Sequence, residues 1–178
     1  IKLKPKRMIL TNLHSDLDYD TLLNILPKNI KPAYDGLSLN FWMKKNKIII
    51  TGGAGFVGSN LVSFFLKKTN LKIISLDNYS SGNRKNHIKN SRVKYIKANT
   101  KDIEKYLNNP KTINAVFHFG EFARIYQSFL NMAECLNSNS IGTNAVLKFC
   151  LKNKIKLIYS ATSASLGNKG NDKNLSPY

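Results

Sequence analysis

Residues 47–58, KIIITGGAGFVG, carry the densest chemical signal in the sequence. Gly52, Gly55 and Gly58 recur at three-residue steps after the apolar run Ile48-Ile49-Ile50 and Thr51, and residues 60–66 beyond them have helical spacing. A glycine turn between a strand and a helix can hold a pyrophosphate. One glycine permits the tight turn, one lets the backbone approach the phosphates, and one lets the helix pack closely on the strand. The N–H groups and positive dipole end of the helix then face the anion. A second β-rich run, 71–76, ends in Asp77, nineteen residues past Gly58. A carboxylate at that distance bonds the hydroxyls of an adenosine ribose. Turn and acid together favour a bound dinucleotide over a purely structural strand–turn–helix.

The elements that must position these residues are legible as an alternation. Strands are expected over 47–51, 71–76, 93–97, 113–119 and 154–159, the fourth nearly continuously apolar, as a strand covered on both faces is. Between them lie the helix that opens after the glycines, a short helix over 102–107 ended by Asn108-Asn109-Pro110, and a long amphipathic helix over 133–152, broken near Gly142. Asn78 to Arg84 reads as a polar loop. Strands separated by helices predict an α/β fold with a doubly wound parallel sheet and ligands at the carboxyl ends of its strands.

Composition narrows the classes. The chain has 178 residues, of which 42% are hydrophobic, enough for a core. No apolar run approaches the ~18 residues that span a bilayer, and the basic opening IKLKPKR leads into no secretory signal. Cys135 and Cys150 lack metal-ligand spacing; they suit a reducing cytoplasm and read as small buried hydrophobes. The 28 Lys+Arg against 10 Asp+Glu give a net charge of +18. These lysines are spread among Asn and Ile, as AT-rich codon usage would produce, and no stretch alternates basic with aromatic residues. A nucleic-acid partner is therefore not expected, whereas anionic ligands such as nucleotide sugars are favoured.

Residues 1–42 read as a separate N-terminal extension, with a short strand over 8–11, an acid-capped helix over 16–26 stopped by Pro27, turn chemistry at Pro32 to Gly36 and a last strand over 37–41. The extension resembles the C-terminal tail of metallo-β-lactamase-fold phosphodiesterases, on LTNLHSDLDYDTLLNILP and PAYDGLSL. That resemblance would make His14 and Asp16 the remnant of a metal site. A histidine with a carboxylate two residues on is better read as a surface pair, so no metal is expected. Met43 precedes the glycine strand as a natural start would, and the extension is taken as a fusion or a neighbouring gene's product joined to a dinucleotide-binding domain over 43–178.

From Met43 onward the chain resembles the N-terminal part of the NAD-dependent epimerase/dehydratase family, which belongs to the extended short-chain dehydrogenases/reductases and has a Rossmann fold. The likeness rests on ITGGAGFVGSNL, LDNYSSGNR, VFHFGE, NSIGT, IYSATSASLGN and LSPY, in the family's order and spacing. It implies that Gly52, Gly55 and Gly58 form the pyrophosphate turn, with the backbone of Phe56 and Val57 near the phosphates. Asp77 and Asn78 would hold the adenosine ribose, Asn99 and Thr100 the adenine end, and Phe119 and Gly120 the nicotinamide side. NAD is the cofactor implied; Arg84, close to Asp77 in sequence, leaves NADP open. Asn99 stands where the family usually has an acid, and Glu121 where a small residue is frequent. Arg124 would reach a substrate phosphate, and Asn139 matches a structural asparagine.

The family's chemistry needs a Ser or Thr, here Thr162 with Ser163 as the alternative, and a Tyr, here Tyr178, that acts as acid and base with a Lys four residues beyond it. A lone phenol, with a pKa near ~10, needs that nearby positive charge to work at neutral pH. The position of that Lys falls beyond Tyr178, the last residue given. The resemblance therefore implies a nucleotide-sugar epimerase or dehydratase, homodimeric when intact, of which this C-terminally truncated stretch is an inactive cofactor-binding part. The other reading is a non-catalytic NAD(P)-binding sensor or scaffold.

Overall fold

Ile48, Ile49 and Ile50 are wholly buried, and they divide between two cores. Alternate side chains of a strand face opposite ways, so a strand buried on both faces must be apolar throughout. Ile48 and Ile50 pack with Val62 and Phe65 on one side of the sheet, and Ile49 packs with Val116, Val146 and Phe149 on the other. The computed structural model describes residues 8–10, 18–37, 45–123 and 125–160. It divides into two compact units, Trp42–Tyr159 and a second made of Ile1–Phe41 with Ser160–Tyr178.

The second unit contains β1 (Met8–Leu10), α1 (Tyr19–Ile25) and β2 (Ile30–Pro32), with β1 and β2 paired in parallel. The Asp18 carboxylate accepts the Thr21 N–H at 2.8 Å, an N-cap that holds its pKa below the usual carboxylate value. Leu22 is buried and Tyr19 meets Tyr34 edge to face. The helix matches the sequence expectation within its ends. Strand β2 was not legible, because Pro27 and Pro32 bracket it; Pro32 is tolerated at the end of a two-stranded pair. His14, Asp16 and most of the strand expected over 37–41 lie outside the described residues.

The larger unit runs β3 (Lys47–Thr51), α2 (Phe56–Lys68), β4 (Lys72–Asp77), β5 (Val93–Lys97), α3 (Ile103–Tyr106), β6 (Ile113–His118), α4 (Ile125–Leu130), α5 (Met132–Cys135), α6 (Thr143–Lys152) and β7 (Lys156–Tyr159). Every neighbouring pair is parallel and the strand order is β5-β4-β3-β6-β7. Counted from β3 that is 3-2-1-4-5, the doubly wound order of a Rossmann fold, whose direction reverses between β3 and β6. The carboxyl ends of β3, β4 and β6, at Thr51, Asp77 and His118, therefore share one edge of the sheet. Arg92, in the turn before β5, donates to the Thr69 carbonyl and, at 2.6 Å, to the Leu66 carbonyl, closing the end of α2. Among the described residues no helix is long and apolar enough to cross a membrane.

One expectation is corrected. The helix expected over 133–152 is not broken near Gly142: a π-helical stretch, Leu136–Gly142, links α5 to α6 without interruption. The cause is close packing, since a Cβ at Gly142 would lie 2.1 Å from the Thr100 hydroxyl, and the wider turn lets the backbone settle there. Helix α4 was not anticipated.

Two substitutions check this core by urea denaturation. Phe149→Ala, at a side chain 3% exposed, should cost about 3–5 kcal/mol. Ser75→Ala should be neutral or stabilising by up to ~1 kcal/mol, because the buried Ser75 hydroxyl has no hydrogen-bond partner. A marked loss of stability in the serine variant would contradict this packing.

Candidate functional site

The turn after β3 is built from contacts that exclude side chains. Gly52 has φ +69°, and a Cβ there would lie 2.6 Å from the Phe119 carbonyl oxygen; a Cβ on Gly58, in the first turn of α2, would lie 2.2 Å from the Gly52 carbonyl oxygen. Gly52 makes the tight turn and Gly58 seats the helix upon it. Gly55 caps α2 with no side-chain bond, and no acid stands in the first helical turn, which leaves a helix start suited to an anion.

Asp77 ends β4 almost buried, at 7% exposure. Its Oδ2 accepts the Ala54 N–H and its Oδ1 the Tyr79 N–H, both at 2.8 Å. A carboxylate offers about four acceptor positions, so these bonds tie the glycine turn to the following loop without exhausting it. That loop folds back at Tyr79, whose φ of 64° is costly for a residue with a side chain. The Tyr79 hydroxyl meets His87 Nε2 at 3.1 Å, Arg84 sits 5.4 Å from its ring centre, and Asn83 N–H and the Asn86 amide both donate to the Ala54 carbonyl. Burial, then the neighbouring Asp77, raises the Tyr79 pKa.

Two adjoining pockets open at these strand ends. Gly52, Asp77, Asn78, Gly120 and Ser138 line both; Thr100 lines the inner one, and Gly55, Phe119 and Glu121 the outer. Most expected residues thus converge on one cleft. Phe56 and Val57 open α2 directly after Gly55, with side chains 84% and 52% exposed, and do not line it. Asn99 reaches it indirectly: the Asn78 amide donates to Asn99 Oδ1 at 3.0 Å and to Glu134 Oε1 at 2.9 Å. Thr162, Ser163, Tyr178 and Arg124 lie outside the described residues.

Ser138, which lines the cleft, and Glu134, which accepts from Asn78, were missed, because only the π-helical stretch and its neighbour bring that helical segment close. Asn139 acts as a brace, its amide accepting the Phe122 N–H at 2.6 Å and donating to the Phe122 carbonyl at 2.9 Å.

Behind the cleft runs a chain of polar side chains, buried at Thr51, His118 and Thr143, whose bonding assigns the proton positions. The Thr51 hydroxyl oxygen accepts the Gly120 N–H (3.1 Å) and shares the Phe119 N–H (3.2 Å) with the Thr51 carbonyl, which leaves its single hydrogen for His118 Nδ1 at 2.6 Å. Nε2 must then carry the ring hydrogen, which it donates to Thr143 Oγ1 at 3.0 Å. Thr143 in turn donates to Glu121 Oε1 at 2.6 Å, where the Tyr159 hydroxyl also arrives at 3.0 Å. Burial pushes the His118 pKa from 6.5 down to about 4, and burial with the Glu121 charge pushes Tyr159 up to about 12.

Comparison with known proteins agrees with this architecture. The pattern of the NAD dependent epimerase/dehydratase family matches residues 48–178, and the chain belongs to that family. A dTDP-D-glucose 4,6-dehydratase of Dictyostelium discoideum is 34% identical over 139 residues, covering 72% of this chain and 32% of that protein. A UDP-glucose 4-epimerase of Halalkalibacterium halodurans is 30% identical over 123 residues, covering 67% of this chain and 36% of that one. The chain thus spans about a third of the length of these curated relatives. The Bordetella bronchiseptica enzyme WbmG, solved in complex with NAD, superposes with a TM-score of 0.63 at 25% identity, over 76% of this chain and 45% of that one.

His118 provides a check. Between its ordinary pKa of 6.5 and about 4, the unfolded chain takes up a proton that the folded chain refuses, so stability should fall as pH drops through that window. At pH 5.5 nitrogen-15 NMR should show a neutral ring protonated on Nε2. An imidazolium, or hydrogen on Nδ1, would contradict the chain of bonds.

Proposed function

We propose that the cleft binds NAD and that the whole protein is a nucleotide-sugar epimerase or dehydratase. One observation carries the reading: the Gly52 turn and the Asp77 carboxylate meet in one cleft, where the strand order reverses. The residues fit the group. Gly55 and the N–H groups of Phe56, Val57 and Gly58 at the start of α2 would take the pyrophosphate. Asp77 would take the adenosine ribose with its spare acceptor positions, braced by Asn78 and Asn99, with Thr100 beneath. Phe119 and Gly120 would flank the nicotinamide. A buried carboxylate at the ribose disfavours the 2′-phosphate of NADP, and Arg84 lies over the Tyr79 ring.

When bound, NAD supplies hydride removal and return. The chain supplies placement. Thr51 and the polar chain behind it hold the Phe119 and Gly120 backbone in position, Thr162 would polarise the sugar oxygen, and Tyr178 would take and return the hydroxyl proton. The partners on this reading are a nucleotide sugar and, for the intact protein, a second copy of the chain. The dehydratase and epimerase relatives support both reaction outcomes.

Calorimetric titration should give submillimolar affinity for NAD and weaker binding of NADP. Asp77→Asn, whose amide cannot accept both N–H groups, should weaken NAD by about ten-fold or more. Affinity weaker than millimolar for both nucleotides would overturn the reading. In the whole protein, Thr162→Ala or Tyr178→Phe should lower turnover by ~100-fold or more while leaving NAD affinity within about two-fold. Unchanged turnover would remove those residues from the chemistry.

A further inference from the structure

Glu121 stands at the cleft end of the polar chain described above, and its surroundings are unusual for a carboxylate. It lies three residues beyond the end of β6, lines the outer pocket beside Phe119 and Gly120, and is only partly exposed. Two hydroxyl donors, Thr143 at 2.6 Å and Tyr159 at 3.0 Å, converge on the same oxygen, Oε1. Hydrogen bonds of this kind fix the head group. Tyr159 is itself held by its ring against His118, with centres 5.7 Å apart and planes at 22°. The ion pairs Lys105–Asp102 and Lys152–Glu104 do not involve Glu121, and Arg124 lies outside the described residues. A negative charge is thus anchored in the wall of the cleft.

Its side of the cleft matters. Asp77 ends β4, on one side of the glycine turn, and Glu121 follows β6, on the other. A dinucleotide with its pyrophosphate at the turn and its adenosine ribose at Asp77 lays its nicotinamide half toward β6. We propose that Glu121 makes the site selective for the redox state of the cofactor, binding the cationic oxidised nicotinamide in preference to the neutral reduced ring. This inference rests on the NAD reading above. Stabilising the oxidised ring makes the reduced cofactor a stronger hydride donor and the oxidised one an equally weaker acceptor, so it favours the return of a hydride over its removal from the sugar. The adenosine and pyrophosphate portions are the same in both redox states, so the discrimination must come from the nicotinamide end.

The test compares dissociation constants of NAD+, NADH and ADP-ribose for the full chain and for Glu121→Gln, whose amide oxygen can still accept both hydroxyls. Calorimetry serves for all three ligands and nicotinamide fluorescence for NADH. The substitution should weaken NAD+ by roughly three- to ten-fold, the effect of one charge acting across a partly solvated cleft, and leave NADH and ADP-ribose within about two-fold. Should Glu121→Gln fold poorly, as judged by its urea midpoint, Glu121→Ala removes the same charge and must shift the NAD+ to NADH ratio in the same direction. Equal weakening of all three ligands would show that Glu121 only shapes the pocket, and an unchanged ratio would show that its charge is not felt; either overturns the proposal while leaving the NAD reading intact. Failure of the unsubstituted chain to bind any of the three would overturn both.

Discussion

The backbone of Gly52 is hemmed in from two directions, and the cleft depends on that crowding. The Gly58 Cα side abuts its carbonyl oxygen and the Phe119 carbonyl stands where a side chain would begin. Because both neighbours are main chain, neither can move aside as a flexible side chain could. The contact therefore fixes α2 against β3 and draws the segment after β6 toward the glycine turn. The crevice at the reversal of strand order is what remains between these three pieces of backbone.

A second constraint acts on the floor of the same crevice. His118 is fully buried, and an imidazole in that position must have both nitrogens satisfied. Thr51 and Thr143 do so from strand and helix, and the two backbone N–H groups that donate to Thr51 belong to the segment that lines the cleft. Loop position and ring tautomer are thus one problem with one solution. The chain of bonds continues through Thr143 and Glu121 to Tyr159, so a carboxylate at the rim is coupled to a neutral histidine in the core.

Asp77 illustrates how a binding residue can first be a structural one. Its two bonds to Ala54 and Tyr79 hold the glycine turn and the next loop in place, and Tyr79 keeps its left-handed backbone because Asp77, His87 and Arg84 all hold it. Asn78 and Asn139 are similar. Each uses both ends of its amide on neighbouring segments, bracing loops that the sheet alone would leave loose.

The sequence by itself determined the alternation of strands and helices, the buried triplet Ile48 to Ile50, the glycine steps and the acid at Asp77. These are local patterns: apolar period, chain reversal and spacing within one βαβ unit. Tertiary structure alone decided that Ser138 faces the cleft and Glu134 holds Asn78, that the helix widens rather than breaks at Gly142, and that Ile30–Pro32 pairs with Met8–Leu10. It also decided the polar chain, because Thr51 meets Gly120 across 69 positions and Tyr159 meets Glu121 across 38. Such partners are chosen by the register of β3, β6 and β7, and no local pattern in the chain records it.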